Sequence, residues 1–143
     1  MGASDYLENL IIDHLFRTAT WSKPSALYIA LFTVAPTDAG GGTEVTGGSY
    51  ARVSVPPSNT NWDATQGGTS GASSGTGGAT ANAVVITFPV PTADWGAIVA
   101  TGIFDVSSGG NLLIWDTLTV TRTISNGDPA PSFRVGSFDV TVG

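Results

Sequence analysis

The apolar residues near the N-terminus recur at the spacing of one helical face. Positions three or four apart share a face of an α-helix. The apolar ones here are Leu7, Leu10, Ile11 and Leu15. Asp5 is followed three residues later by Glu8, as is typical of a capped helix start. The pattern predicts a helix over residues 4–18 whose apolar stripe packs on the chain's own sheet or on a neighbouring subunit.

After Pro24 the period of the pattern changes to two, which indicates strands. Residues 25–32 are apolar on both alternating faces. A strand of this kind is central in its sheet and covered on both sides. The pattern predicts further strands at residues 50–55, 83–88, 98–105, 112–117, 119–124 and 133–142.

The order of these strands indicates the fold class. Short turns rich in Gly, Ser and Asn separate the later strands, so we expect an antiparallel meander there. Within the last strand the apolar register changes at Gly136, which predicts a β-bulge. The whole pattern predicts an all-β fold, an antiparallel β-sandwich or jelly roll with one N-terminal α-helix.

Length and one biased tract set the domain organisation. The chain has 143 residues, the usual size of one domain, so residues 1–143 are expected to form a single β domain. Every residue from 67 to 80 is Gly, Ser, Thr or Ala. Such side chains bury little surface, and ordering them costs entropy. We therefore predict a flexible Gly/Ser/Thr-rich loop at residues 67–80.

Charge and cysteine content exclude several classes of partner. The net charge is −6, and the five Lys and Arg residues are scattered, whereas nucleic-acid binding depends on clustered cations. The chain has no Cys, so it holds neither a disulfide nor a thiolate zinc site. No apolar run reaches the roughly 18 to 20 residues that span a bilayer. We expect a soluble protein with no nucleic-acid partner, no membrane partner and no export signal of its own.

Candidate catalytic groups are few. His14 is the single histidine, and a lone imidazole in a helix is more often a packing or interface residue than a catalytic base. No metal-binding motif occurs, and the Gly-rich tract contains no phosphate-binding motif. The sequence therefore predicts no enzymatic activity, no catalytic or metal-binding residue and no cofactor.

Two carboxylates lie beside tryptophans, Asp94 next to Trp95 and Asp116 next to Trp115. Acid pairs flanked by aromatic rings occur in proteins that handle sugars, but carboxylates at turns and strand ends more often accept hydrogen bonds from backbone N–H groups. We favour the second interpretation. Trp62 stands alone in polar sequence and is predicted to be an exposed anchor. The candidate interface residues are Leu7, Ile11, His14 and Trp62.

Several short motifs occur together along the chain. They are SDYLEN at 4–9, LYIALF at 27–32, PTD at 36–38, GGSYAR at 47–52, FP at 88–89, ADWG at 93–96, GIFD at 102–105 and SGGNLL at 108–113. With these motifs the sequence resembles a family of small structural proteins of tailed bacteriophages and prophages, often labelled tail fibre protein. The resemblance implies a structural protein of the virion, made in the host cytoplasm.

The resemblance leaves the position in the particle open. Long fibres are usually repetitive or coiled-coil, and this chain has neither repeats nor heptads. We therefore expect a capsid decoration (cement) protein on the capsid exterior, bound to the major capsid protein as a homo-oligomer, with a trimer as the expected form. The alternative is a tail fibre or tail appendage protein bound to tail proteins, with carbohydrate binding left open.

Overall fold

The computed structural model describes residues 2–142. Within them the elements are, in chain order, β1 (Gly2–Ala3), α1 (Asp5–Phe16), β2 (Leu27–Val34), β3 (Thr43–Glu44), β4 (Val53–Val55), β5 (Ala79–Ala81), β6 (Ile86–Thr87), β7 (Gly96–Phe104), β8 (Leu112–Ile124), β9 (Ser132–Phe133) and β10 (Asp139–Thr141).

The central sheet has six strands and is antiparallel throughout. Its order is β1-β8-β7-β2-β3, and β4 also pairs with β2. Ile29 of β2 lies opposite Ile103 of β7, which lies opposite Ile114 of β8. Ile29 and Ile103 belong to the main core, whereas the neighbouring Ala30 joins a smaller cluster. The prediction that β2 is central and covered on both sides is confirmed.

Two short ribbons complete the core on one side of this sheet. β10 pairs with β5, and β6 pairs with β9, both antiparallel. The ribbon residues Ile86, Phe138 and Val140 are nearly fully buried in the same cluster as Ile29. The layers do not close into a sandwich, but the prediction of a mostly antiparallel β fold with one N-terminal helix is confirmed.

The helix begins at Asp5, one residue earlier than it would if Asp5 were the N-cap. Ser4 is the N-cap, and its hydroxyl accepts a hydrogen bond from the N–H of Leu7 at 3.2 Å. The same hydroxyl donates to the carbonyl of Leu112, which ties the helix start to β8. Asp5 and Glu8 lie in the first turn, where negative charge is favourable. The predicted helix over 4–18 is therefore confirmed as Asp5–Phe16, with Ser4 rather than Asp5 as its cap.

The C-terminal strands differ from the predicted meander. The stretch predicted as one bulged strand is two strands, β9 and β10, which pair with different partners. Gly136 between them has a positive φ of 72°, and the N–H of Ser137 bonds to the carbonyl of Arg134 at 3.1 Å, so the register change is a full turn. Conversely, the two strands predicted at 112–124 are one continuous strand, β8, with a register shift between Ile98 and Ala100 of β7.

The Gly/Ser/Thr tract is a surface loop that ends in a strand. Residues 67–78 are exposed, and Ala79 and Thr80 belong to β5. Gln66 anchors the loop, because its side chain donates to the carbonyl of Ala72 at 3.0 Å and accepts from the N–H of Ser74 at 2.8 Å. Its flexibility stays a prediction.

Asn82 holds the C-terminal ribbon in place. It is fully buried, and its amide nitrogen donates to the carbonyls of Val84 at 2.8 Å and Arg134 at 2.9 Å. Its amide oxygen accepts from the N–H of Phe138 at 2.8 Å. One side chain thus satisfies three backbone groups, and two of them, on Arg134 and Phe138, lie on the two sides of the turn at Gly136.

Changing Asn82 to Ala is expected to destabilise the protein by about 3 kcal/mol, because buried backbone groups lose their partners and a cavity forms. The measurement is equilibrium urea unfolding. The matched control is Asn9→Ala on the exposed side of α1, which should change stability by less than about 0.5 kcal/mol. Equal effects of the two substitutions would contradict the role of Asn82.

Candidate functional site

The apolar stripe predicted as an interface lies largely against the protein's own core. Leu7 is 9% exposed and belongs to the main core cluster. Ile11 is half-buried and packs against the same cluster. His14 is exposed, and its Nδ1 accepts a hydrogen bond from the backbone N–H of Trp21 at 3.1 Å, which fixes the chain after the helix. Two of the three predicted helix residues therefore support the fold.

The exposed apolar residues of α1 lie on another side of its last turns. Ile12 is 50% exposed, Leu15 66% and Phe16 77%. These three residues are named here the helix-end patch. Leu15 and Phe16 follow Ile12 by three and four positions, so both lie next to it on the helix surface. Adjacent exposed apolar residues make this end of the helix a candidate association surface. The sequence signal was that the second half of the helix is apolar on nearly all sides, from Leu10 onward.

Trp62 is half-buried rather than freely exposed. Its ring packs against Phe138 with centroids 6.4 Å apart at an angle of 65°, and its indole nitrogen is buried with no hydrogen-bond partner among the described residues. The ring lines a cleft of about 380 Å³ between the Gly/Ser/Thr loop and the central sheet, named here the Trp62 cleft.

The Trp62 cleft combines apolar walls with two charged groups. Leu27, Ile103 and Ile114 contribute apolar surface, and Lys23 and Asp63 also line the cleft. Within residues 2–142, neither the ammonium of Lys23 nor the carboxylate of Asp63 has a hydrogen-bond or ion-pair partner. A cleft of this kind fits an occupant that brings apolar side chains together with both a hydrogen-bond acceptor and a cation.

The two carboxylates beside tryptophans, and Asp105 as well, accept hydrogen bonds from backbone N–H groups. Asp94 accepts a hydrogen bond from the N–H of Asn126 at 2.7 Å, and Asp105 accepts from the N–H and the side chain of Asn111, both at 2.8 Å. Asp116 accepts from the N–H of Thr117 at 2.7 Å. These contacts support the interpretation of the carboxylates as turn and strand-end residues.

Trp95 is not available as a sugar platform. It is 5% exposed, its indole N–H donates to the carbonyl of Gly48 at 2.9 Å, and its ring meets Tyr50 edge-on with centroids 5.3 Å apart. Over residues 2–142 no three His, Asp or Glu side chains are grouped so that they could hold a metal ion. In the same range no helix has the length and apolarity to cross a bilayer.

A buried polar cluster lies at the edge of the sheet. Arg52 pairs with Glu44 through two hydrogen bonds of 2.8 and 2.7 Å. Its guanidinium lies 3.5 Å from the ring centre of Phe104 and also donates to the carbonyls of Val106 and Gly109. The Arg52 side chain is 5% exposed. Four of the five N–H donors of the guanidinium are thus used inside the protein, and the cluster is structural.

Tyr50 links this cluster to β2. Its hydroxyl donates to Glu44 at 2.9 Å and accepts from the N–H of Leu31 at 3.0 Å. Burial raises the pKa of the Tyr50 hydroxyl well above its ordinary value, and the nearby Glu44 carboxylate raises it further, while the hydrogen bond from Leu31 and the charge of Arg52 oppose the shift. The role of the GGSYAR motif could not be predicted from the sequence, because Glu44, which binds its Tyr50 and Arg52, lies outside the motif.

One comparison with known proteins gives a match. The model of a family described as podophage GP4 fiber I protein gp80 matches residues 2–141 of the chain, which includes every surface described above. No curated protein matches the chain.

The raised pKa of Tyr50 predicts a loss of stability at alkaline pH. Below about pH 10 the hydroxyl is protonated in both states; above it, the unfolded chain releases the proton while the folded protein retains it. Stability should therefore fall by at most about 1.4 kcal/mol per pH unit from this group. Tyr50→Phe should remove this contribution, at a cost of about 1 to 3 kcal/mol at neutral pH because Leu31 and Glu44 lose a partner.

The measurement is urea unfolding of the native protein and of Tyr50→Phe from neutral to alkaline pH. The control is Tyr6→Phe, since Tyr6 is 41% exposed, and it should keep the alkaline loss of the native protein. If Tyr50→Phe shows the same slope as the native protein, the buried hydroxyl is not the cause.

Proposed function

The chain belongs to the podophage GP4 fiber I protein gp80 family, and from this membership we propose that it is a structural component of a phage tail fibre. The observation that carries the proposal is the extent of the match, which covers residues 2–141 of 143. The protein is thus a phage structural protein, and its proposed partners are other tail proteins.

The expectation of a capsid decoration protein gains no support from this match. That expectation rested on the small size of the chain and on its lack of repeats or heptads. Those features are equally compatible with a compact module that joins other fibre proteins. The family description names a fiber. We therefore propose a position in the tail instead of on the capsid exterior, and tail proteins instead of the major capsid protein as partners.

The structure supports a role in assembly more than in chemistry. The carboxylates Asp94 and Asp105 are engaged by backbone N–H groups, and the Arg52 cluster is enclosed. Among the described residues, the helix-end patch and the Trp62 cleft are two features that remain open to partners. These observations favour a non-enzymatic structural role. Association of several copies remains part of the proposal, and the homotrimer expected from the sequence is its specific form.

Carbohydrate binding by this chain has weaker support. The sugar interpretation began from Trp95 and Trp115, but Trp95 is enclosed and the indole N–H of Trp115 donates to the Asp38 carboxylate at 3.0 Å. A single half-buried ring at Trp62 is a small platform, because sugar binding by stacking uses an exposed aromatic face. We therefore propose a structural position in the tail without a glycan site on these residues.

The proposal predicts that the protein is found with tails. Virions that carry a tagged copy should show label at the tail, and disrupted virions should release the protein in the fraction that contains tail proteins. Quantitative mass spectrometry should find far fewer copies than of the major capsid protein, because a tail offers fewer sites than the shell lattice.

Tail-less heads assembled in the same infection are the control, since they should lack the protein. Label spread over the capsid, or amounts comparable to the major capsid protein on these heads, would contradict the tail position and restore the decoration hypothesis.

A further inference from the structure

We propose that the helix-end patch of one copy docks into the Trp62 cleft of a second copy. The two surfaces belong to one chain, and each supplies what the other lacks. The inference concerns how copies meet, so its test is independent of where in the virion the protein is found.

The first argument is apolar complementarity. Leu15 and Phe16 are the most exposed large apolar residues of α1, at 66% and 77%. The Trp62 cleft has a volume of about 380 Å³ and apolar walls that include the half-buried Leu27 and Ile114. This volume falls in the range of roughly 300 to 1,000 Å³ that holds bound groups in proteins. Docking would remove both apolar surfaces from water at once.

The second argument is polar and charge complementarity. The last carbonyls of a helix lack partners within the helix and carry partial negative charge, and Lys23 lines the cleft with no partner of its own among the described residues. Arg17 at the helix end is 71% exposed in its side chain, and only its Nε contacts Asp13, at 3.1 Å. Its remaining donors suit the Asp63 carboxylate of the cleft.

The third argument concerns the choice of occupant. Net charge of −6 opposes association of identical chains unless cations lie at the contact. Two of the five cationic residues, Arg17 and Lys23, lie at these two surfaces. Contact between two copies would therefore place Arg17 of one copy and Lys23 of the other at the interface, where their charges reduce the repulsion between two acidic chains. Because the patch and the cleft are different surfaces, their contact joins copies reciprocally, in a closed ring or in an open filament.

The first test removes the docking side chain. Phe16→Ser should weaken self-association of the full chain by roughly 10- to 100-fold, the equivalent of losing one buried aromatic side chain, as measured by analytical ultracentrifugation over a concentration series. Its fold should be unchanged, because Phe16 is exposed. The matched control is Val135→Ser, since Val135 is 55% exposed in the turn before β10, and it should leave association unchanged.

The second test uses the absence of cysteine in the chain. A Phe16→Cys protein and a Ser73→Cys protein are mixed under mild oxidation, Ser73 being part of the cleft wall. A disulfide that joins the two different proteins, resolved by mass spectrometry, is expected. A mixture of Val135→Cys with Ser73→Cys is the control and should give no more cross-linking than random collision.

The two tests give different results if the docking occurs and if it does not. Loss of association in Phe16→Ser together with the selective cross-link supports the docking. A native protein that stays monomeric at all concentrations, an oligomer that Phe16→Ser does not weaken, or a Phe16→Cys cross-link no stronger than the control would each overturn it.

Discussion

The burial of β2 on both faces is the constraint on which the rest of the structure depends. A strand covered twice needs two separate sets of covering residues, and the chain provides them unequally. On one face, the large side chains Ile29 and Leu31 meet the helix and the ribbons. On the other face, Ala30 lies opposite Gly102, and a Cβ at Gly102 would come within 2.8 Å of the Leu112 side chain. Small residues there let other parts of the chain approach closely.

The polar cluster belongs to the same constraint. Phe104 stacks with Phe32 on the face of the sheet that carries Ala30, with ring centroids 6.2 Å apart. The guanidinium of Arg52 covers the Phe104 ring. A buried cation is costly without compensation, and Glu44 together with two carbonyls supplies it. The cluster thus closes the sheet edge where β3 and β4 share β2 as a partner. Its ionic groups serve packing, which explains why they offer no site for chemistry.

Local patterns in the sequence were sufficient for the elements whose apolar residues follow one clear period. The helix and β2 followed from spacing alone, because each has an apolar pattern of one clear period. The turn at Gly136 was missed, since only the distant partners β5 and β6 show that β9 and β10 separate. The sequence did not distinguish the buried Leu7 from the exposed Phe16, because core residues and exposed apolar residues carry the same apolar signal. The position in the virion followed from family membership and not from any physical property of the fold.

The hydrogen bonds of Asn82 make the last turn depend on a residue that is distant in the sequence. β10 pairs with β5 through only three residue pairs, and the Asn82 side chain adds hydrogen bonds to Arg134 and Phe138, on the two sides of the intervening turn. Opening this ribbon would leave a buried amide without partners, which costs free energy. We therefore expect the ribbon to open together with the core around Asn82 and not as a separately fraying segment.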